Sequence, residues 1–277
     1  MTDTIPIDWK ELLTYDKNNK WHRAIRTTII IFLSLVVFLL LWWNISLFVD
    51  TPAIPTPYDT WNAFLYLFEY GDLVTGYTMW HHMAISLERF LGGMLIAIAI
   101  AVPFGLLLGY SKTLREFSNP ALEILRPIAP IAWAPILLYA VGYTWGPILV
   151  VFIGIFFPLL TNTVFGVQKI DQNLVDAAKT LGASRLQIFY KVMAPCALPY
   201  MMNGLRIGSG VGWMCIVASE LYTASGGGIG YFIGLQADLF FWPNVYAGIV
   251  VIAILGILTT SVFDYLYKLI NKRMGLA

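Results

Sequence analysis

Asp176-Ala177-Ala178-Lys179-Thr180-Leu181-Gly182-Ala183-Ser184-Arg185, followed by Val192-Met193-Ala194-Pro195 and Leu198-Pro199, forms a polar island between two long apolar stretches. With Lys169, Lys179, Arg185 and Lys191 in a chain that is 58% hydrophobic, it belongs in water beside an apolar layer and not within one. Asp176 reads as the N-terminal residue of a short helix, Ala177 and Ala178 leave room for another surface, and Gly182 ends the helix. Ser184 then caps a second short helix running to Met193, which Pro195 closes.

The flanks of the island set the class. Charged residues are only 12% of the chain and the mean hydropathy is +0.72, values that exclude an ordinary soluble domain. A membrane span needs roughly 20 apolar residues. Such windows occur at 29–49, 83–109, 124–141, 147–167, 198–221 and 245–269. The expected fold is therefore all-α and polytopic, with six transmembrane helices in a single domain over residues 1–277. The third window is interrupted by Pro127, Pro130 and Pro135, each of which removes a backbone donor. Irregular backbone at membrane depth survives where protein or a water-filled path lines it, so this break hints at a translocation route, with tight packing as the alternative.

Cytoplasmic loops collect Lys and Arg. Lys10, Lys17, Lys20, Arg23 and Arg26 precede the first window, Lys112, Arg115 and Arg126 follow the second, and Lys268, Lys272 and Arg273 end the chain. The opposite loops hold Asp50, Asp59, Glu69, Asp72 and Asp238 without a basic residue. Both termini are expected in the cytoplasm, with 1–27 as an N-terminal cytoplasmic segment and 168–197 as a cytoplasmic loop. The first apolar stretch is too long for a signal-peptide core and reads as a retained anchor in a cell (inner or plasma) membrane.

Several chemistries find no support. Gly105 to Thr113 is no phosphate-cradling loop, because Ser111 precedes Lys112 and the segment ends an apolar span. Gly226-Gly227-Gly228-Ile229-Gly230 reads as a flexible extracytoplasmic turn. No catalytic triad, metal-ligand cluster or nucleic-acid-binding pattern is present, and His81 and His82 read as interfacial. Cys196 and Cys215 lie on one helical stretch about 28 Å apart, too far to bridge. No cofactor is expected on this chain, so any ATP and Mg act on a partner subunit.

The island resembles the cytoplasmic loop of ABC importer permeases: Glu-Ala-Ala, three residues, Gly, nine residues, Ile, one residue, Leu-Pro. Here Asp176 replaces Glu, Val192 stands for Ile and Ala194 replaces Leu. Ile54-Pro55-Thr56-Pro57, Ser86-Leu87-Glu88-Arg89-Phe90-Leu91-Gly92-Gly93, the block Arg126 to Pro135, Gly204-Leu205-Arg206-Ile207 and Gly212-Trp213 running into Ala218-Ser219-Glu220 are similar to the nitrate, sulfonate, taurine and bicarbonate importer branch. The resemblance implies a type I importer permease working by alternating access. Its partners would be two nucleotide-binding ATPase subunits, an extracytoplasmic substrate-binding protein, a second permease subunit (a second copy, making a homodimer, or a close relative) and membrane lipid. It also implies that Asp176, Ala177, Ala178, Leu181, Gly182, Ala183, Arg185, Val192 and Pro195 couple the permease to the ATPase. The solute would be a small anion or organic sulfonate; related permeases carry thiamine or riboflavin precursors, and an ion-driven carrier or channel is the competing class.

Two further sets follow from the residues. Gly204, Gly208 and Gly212 stack on one helical face and suit close helix packing, within a subunit or at a seam between two. Arg89 and Glu220 fall near the outer ends of spans, where a charge is costly unless paired or facing a path. They read as a salt bridge, or as an anion-attracting Arg89. Trp133, amid the prolines, and Trp213, beside the glycines, are candidate cavity residues.

Overall fold

The structure is a computed structural model in which residues 20–49, 51–223 and 226–273 are described. Lys10, Lys17 and Asp50, and most of the expected N-terminal segment, lie outside them. Two compact units are distinguished, with the boundary between Asn62 and Ala63.

In the first unit, α1 (Lys20–Val49) carries a 25-residue apolar stretch, Ile25–Val49, that buries no part of its most hydrophobic window. Ser46 Oγ donates to the Ile54 carbonyl at 2.8 Å and Trp42 Nε1 to that of Pro55 at 3.1 Å, so the proline-bearing link folds back on its own helix. α2 (Pro57–Glu69) starts with proline in its first turn. Thr56 Oγ1 accepts from the Asp59 N–H at 3.1 Å, satisfying one of the free donors there.

The second unit is built on α3 (Met79–Tyr110), α5 (Ala134–Gln168) and α8 (Ala194–Glu220), with α10 (Trp242–Arg273) packed against α8. Glycine permits the close approaches. A Cβ on Gly105 would fall 2.7 Å from Thr163 Cβ, and one on Gly109 2.5 Å from Val167 Cβ. The stripe Gly204, Gly208, Gly212 faces α5 and α3 of the same chain: Cβ atoms there would fall 3.0 Å from Leu159 Cα, 3.0 Å from Ile155 Cγ2 and 2.9 Å from Phe90. In lipid, where apolar side chains alone give helices little reason to associate, such contact is a main source of cohesion. Gly208→Leu is expected to lower the thermal midpoint of the detergent-purified protein strongly, since overpacking costs about 1–3 kcal/mol or more. An unchanged midpoint would mean that α8 does not depend on this contact.

The expected third span, 124–141, is not one helix. α4 (Lys112–Leu125) ends first, residues 126–129 are non-helical, Pro130–Trp133 form a 3-10 turn, and Pro135 sits in the first turn of α5. The prolines therefore mark where helix starts. α5 itself spans 35 residues, about 52 Å if straight, well beyond a bilayer core of about 30 Å. It is a hairpin. Gly142 has φ 83° and ψ 174°, a conformation only glycine adopts without strain, and a Cβ on Gly146 would lie 3.0 Å from Leu138 Cα. Arg126 Nη2, in the broken segment that leads into the short arm, accordingly donates to Thr161 Oγ1 on the long arm at 3.3 Å.

Among the described residues, four stretches suffice by length and hydropathy to cross a membrane: Ile25–Val49, Met79–Tyr110, Pro130–Gln168 and Trp242–Lys272. α8 is not among them. It is enclosed by protein on several sides, so glycines and Asn203 replace lipid-facing residues that raise hydropathy, and Arg206 lowers it further.

Candidate functional site

Two groups of residues stand out in the second unit. The first is the elbow between α5 and α8. α6 (Gln172–Thr180) is capped by Asp171, whose Oδ1 accepts from the Asn173 N–H at 2.9 Å. Asp176 is thus mid-helix and not at its start, a correction to the sequence reading: the preceding turn Gln172-Asn173-Leu174-Val175 is already helical. Asp176 pairs with Lys179 at 2.8 Å, and that hydrogen bond holds its carboxyl below the usual range. Gly182, at φ 78°, ends α6. The Ala183 N–H reaches the Ala178 carbonyl and the Gly182 N–H that of Lys179, the paired bonds of a Schellman motif.

Ser184 caps α7 (Arg185–Ile188) and forms a reciprocal capping box with Gln187. The helix then does not stop at Pro195. Phe189–Met193 form a π turn, the Ala194 N–H reaches the Phe189 carbonyl five residues back, and α8 continues directly. A π turn leaves room for a ring that lacks an N–H, so Pro195 sits inside a continuous helical rod from Arg185 to Glu220. The elbow's apolar side chains are left open. Leu181 is 87% exposed, Leu186 66% and Tyr190 64%, and Asp176, Ala177, Gly182, Arg185 and Pro195 are exposed beside half-buried Ala178, Ala183 and Val192.

The second group is a buried polar knot at the other end of α8. Arg89 Nη1 donates to Glu220 Oε1 at 2.9 Å and to the Gly227 carbonyl at 3.0 Å, while Glu220 Oε2 accepts from Ser86 Oγ at 2.7 Å and the Gly230 N–H at 3.0 Å. Ser86 Oγ also accepts from the Ile229 N–H at 2.8 Å, and His82 Nδ1 from the Gly228 N–H at 3.3 Å. His82 is fully buried with Nε2 unpaired, so it is no interfacial residue. Gly226 to Gly230 is no loose turn either: the N–H groups of Gly228, Ile229 and Gly230 are bound, and a Cβ on Gly228 would overlap the Glu220 carboxylate at 2.5 Å. Outside the knot, Gln236, on α9 (Ile229–Asp238), donates to Asp72 and accepts from Asn244 Nδ2 at 2.8 Å.

Sequence reading found Arg89 and Glu220 but missed Ser86, His82, Asp72 and Gln236. A signal existed for three knot residues: His82, Ser86 and Arg89 recur at four- and three-residue spacing, one polar stripe on a helix that is apolar elsewhere except at His81 and Glu88. Arg89 faces its ion pair and not an open cavity. Trp213 is buried, stacks on Phe90 with centroids 4.8 Å apart and donates to Thr259 at 2.8 Å, while its edge borders a groove between α8 and α10. Trp133 is half-buried in the 3-10 turn. Beside that turn a second groove of about 410 Å³ runs between the broken segment and α8, lined by Arg126, Ile128, Pro130, Phe157, Asn162 and Ile207. Among the described residues no His, Cys, Asp or Glu cluster fits a metal ion, and Cys196 and Cys215 are both free on α8.

A helical membrane bundle with an exposed elbow feeding its central helix has the architecture of an ABC importer permease. The profile described as binding-protein-dependent transport system inner membrane component matches residues 101–276, and the chain belongs to that family. It is 36% identical to a putative ABC transporter permease of Methanocaldococcus jannaschii, over 82% of this chain and 85% of that one. It is 34% identical to the taurine transport system permease TauC of Escherichia coli K12 (81% and 82%) and 34% to the bicarbonate transport system permease CmpB of Synechocystis (84% and 85%). Among solved structures, inward facing conformations of the MetNI methionine ABC transporter share the fold, with a TM-score of 0.57 at 21% identity over 69% of this chain and 97% of the other.

Proposed function

We propose that this chain is the membrane subunit of an ATP-driven importer for a small oxyanion or organic sulfonate, working as a homodimer with two ATPase subunits and an extracytoplasmic binding protein. Six crossings follow if α1, α3, the broken segment 126–141, the long arm of α5 beyond Gly142, α8 and α10 each traverse the bilayer, which leaves both termini and the elbow in the cytoplasm. ATP and Mg act on the partner. The observation that carries the reading is the elbow: an apolar Leu181 that is 87% exposed sits on a segment whose following helix enters the core without a break. Pulling the two elbows of a dimer together would tilt both α8 rods and switch the side to which the path opens. The substrate class is supported by the names of relatives that serve taurine and bicarbonate transport.

Purification from native membranes is expected to bring down a nucleotide-binding subunit. A thermal-shift screen of the associated binding protein against nitrate, bicarbonate, taurine, alkanesulfonates and pyrimidine precursors is expected to single out an anion. A pyrimidine hit would replace the substrate while keeping the importer. A permease that moves solute alone in ATP-free liposomes would overturn the importer reading.

A further inference from the structure

Two arginines lie well inside helices of the bundle, Arg89 on α3 and Arg206 on α8, and their surroundings differ. Arg89 is 7% exposed and is held by Glu220 and the Gly227 carbonyl. Arg206 has a side chain 46% exposed. It meets Asp264 Oδ1 through Nε at 2.6 Å, and its two terminal nitrogens have no hydrogen-bond partner among the described residues.

The depth of this pair is informative. Gly204 lies against Leu159, about nine residues before the end of α5, which places Gly204 about 14 Å and Arg206, two residues further on, about 17 Å inside the bundle's inner end. A half-exposed ion pair at hydrocarbon depth is costly against lipid, so it belongs where water or a polar occupant reaches it.

The pair also lies one helical turn beyond the lining of a groove. Gly210, Trp213 and Met214 on α8 and Ile249, Gly256 and Thr260 on α10 line a space of about 580 Å³, almost wholly apolar. Arg206 lies one helical turn below Gly210 and Asp264 one turn beyond Thr260, at the groove's inner end. The glycines on its walls are unlike the packed stripe. A Cβ on Gly210 or Gly256 would meet nothing within 4 Å, so packing inside this chain does not account for either.

We propose that Arg206, balanced by Asp264, is a transit site for the oxyanion headgroup of the imported solute, with the apolar groove beyond it receiving a short carbon tail. This rests on the anion-importer reading above and assigns that reading its cation. A guanidinium engaged through Nε still offers two terminal N–H groups in a plane, the arrangement that binds carboxylate, bicarbonate or sulfonate oxygens in pairs. Asp264 keeps the site near neutral. An anion is then held weakly enough to leave, as conduction requires, whereas an unbalanced arginine in a low-dielectric groove would trap it.

The test uses the assembled permease and ATPase, with two readouts: equilibrium binding of radiolabelled taurine, ethanesulfonate and bicarbonate without the binding protein, and uptake by proteoliposomes with it. Arg206→Gln is expected to weaken anion binding about tenfold or more and Asp264→Asn to strengthen it about tenfold, while both slow uptake. Arg206→Lys, which keeps the charge and loses the planar fork, is expected to fall between Arg206→Gln and wild type. A structural brace predicts otherwise: the two single variants would change binding and stability in the same direction, and the double variant would recover both. That outcome, with wild-type anion import intact, overturns the site alone. A wild-type assembly that imports none of these anions overturns the anion reading and the site with it.

Discussion

Arg89→Ala is expected to cost the folded protein about 3–5 kcal/mol, the loss that follows when one member of a buried ion pair is removed and its partner is left charged. Glu220 has no exposed surface, and its Oε2 already accepts from Ser86 and Gly230, so the freed Oε1 has no compensating donor within the knot. The Gly227 carbonyl loses its donor as well. The expected readout is a large fall in detergent thermal midpoint and in recovered assembly. Arg89→Met combined with Glu220→Gln should recover most of it, because glutamine keeps an acceptor for Ser86 and Gly230 while removing the stranded charge. If Arg89→Ala assembles normally at an unchanged midpoint, the knot is not what holds the outer ends of α3, α8 and α9 together.

The second large effect is on coupling. Leu181→Glu together with Leu186→Glu is expected to reduce ATP-dependent uptake at least tenfold while leaving membrane insertion and the thermal midpoint of the isolated permease unchanged. Both side chains are open to solvent in the chain alone, so surface substitution there is worth within about 0.5 kcal/mol to the fold. Within a docked interface the same charges would be buried without partners, and desolvating an unpaired carboxylate is among the costliest changes a contact can suffer. ATP hydrolysis by the partner would continue without import. Retained uptake would mean that force reaches α8 by another route.

Much of this was legible in the sequence because one physical rule dominates a membrane chain: long apolar windows must be helices with their backbone groups paired internally. The windows at 83–109 and 245–269 correspond closely to α3 and α10. Proline was the harder residue. Pro195 was expected to close a helix and instead lies within one, because a π turn relieves the missing donor. Pro127 and Pro130 interrupt helix as expected, and the turn at Gly142 falls in the gap between the windows at 124–141 and 147–167, ahead of Gly146-Pro147.

The elbow's two caps were half legible. Gly182 and Ser184 act as their residue types suggest, but the α6 cap is Asp171, five residues ahead of Asp176. The buried knot was least legible, since it joins residues more than 130 positions apart: Ser86 meets Glu220, and Arg89 meets both Glu220 and Gly227. No local periodicity announces such a pairing, although the polar stripe on α3 marks one half of it.

The most direct test of the central claim, that the exposed elbow is gripped by a separate ATPase, is maleimide labelling of Leu181→Cys in a Cys196→Ser background, where the remaining Cys215 is buried. The account predicts rapid labelling of the permease alone and strong protection in the transport-active assembly. Equal labelling in both, with import intact, would contradict it.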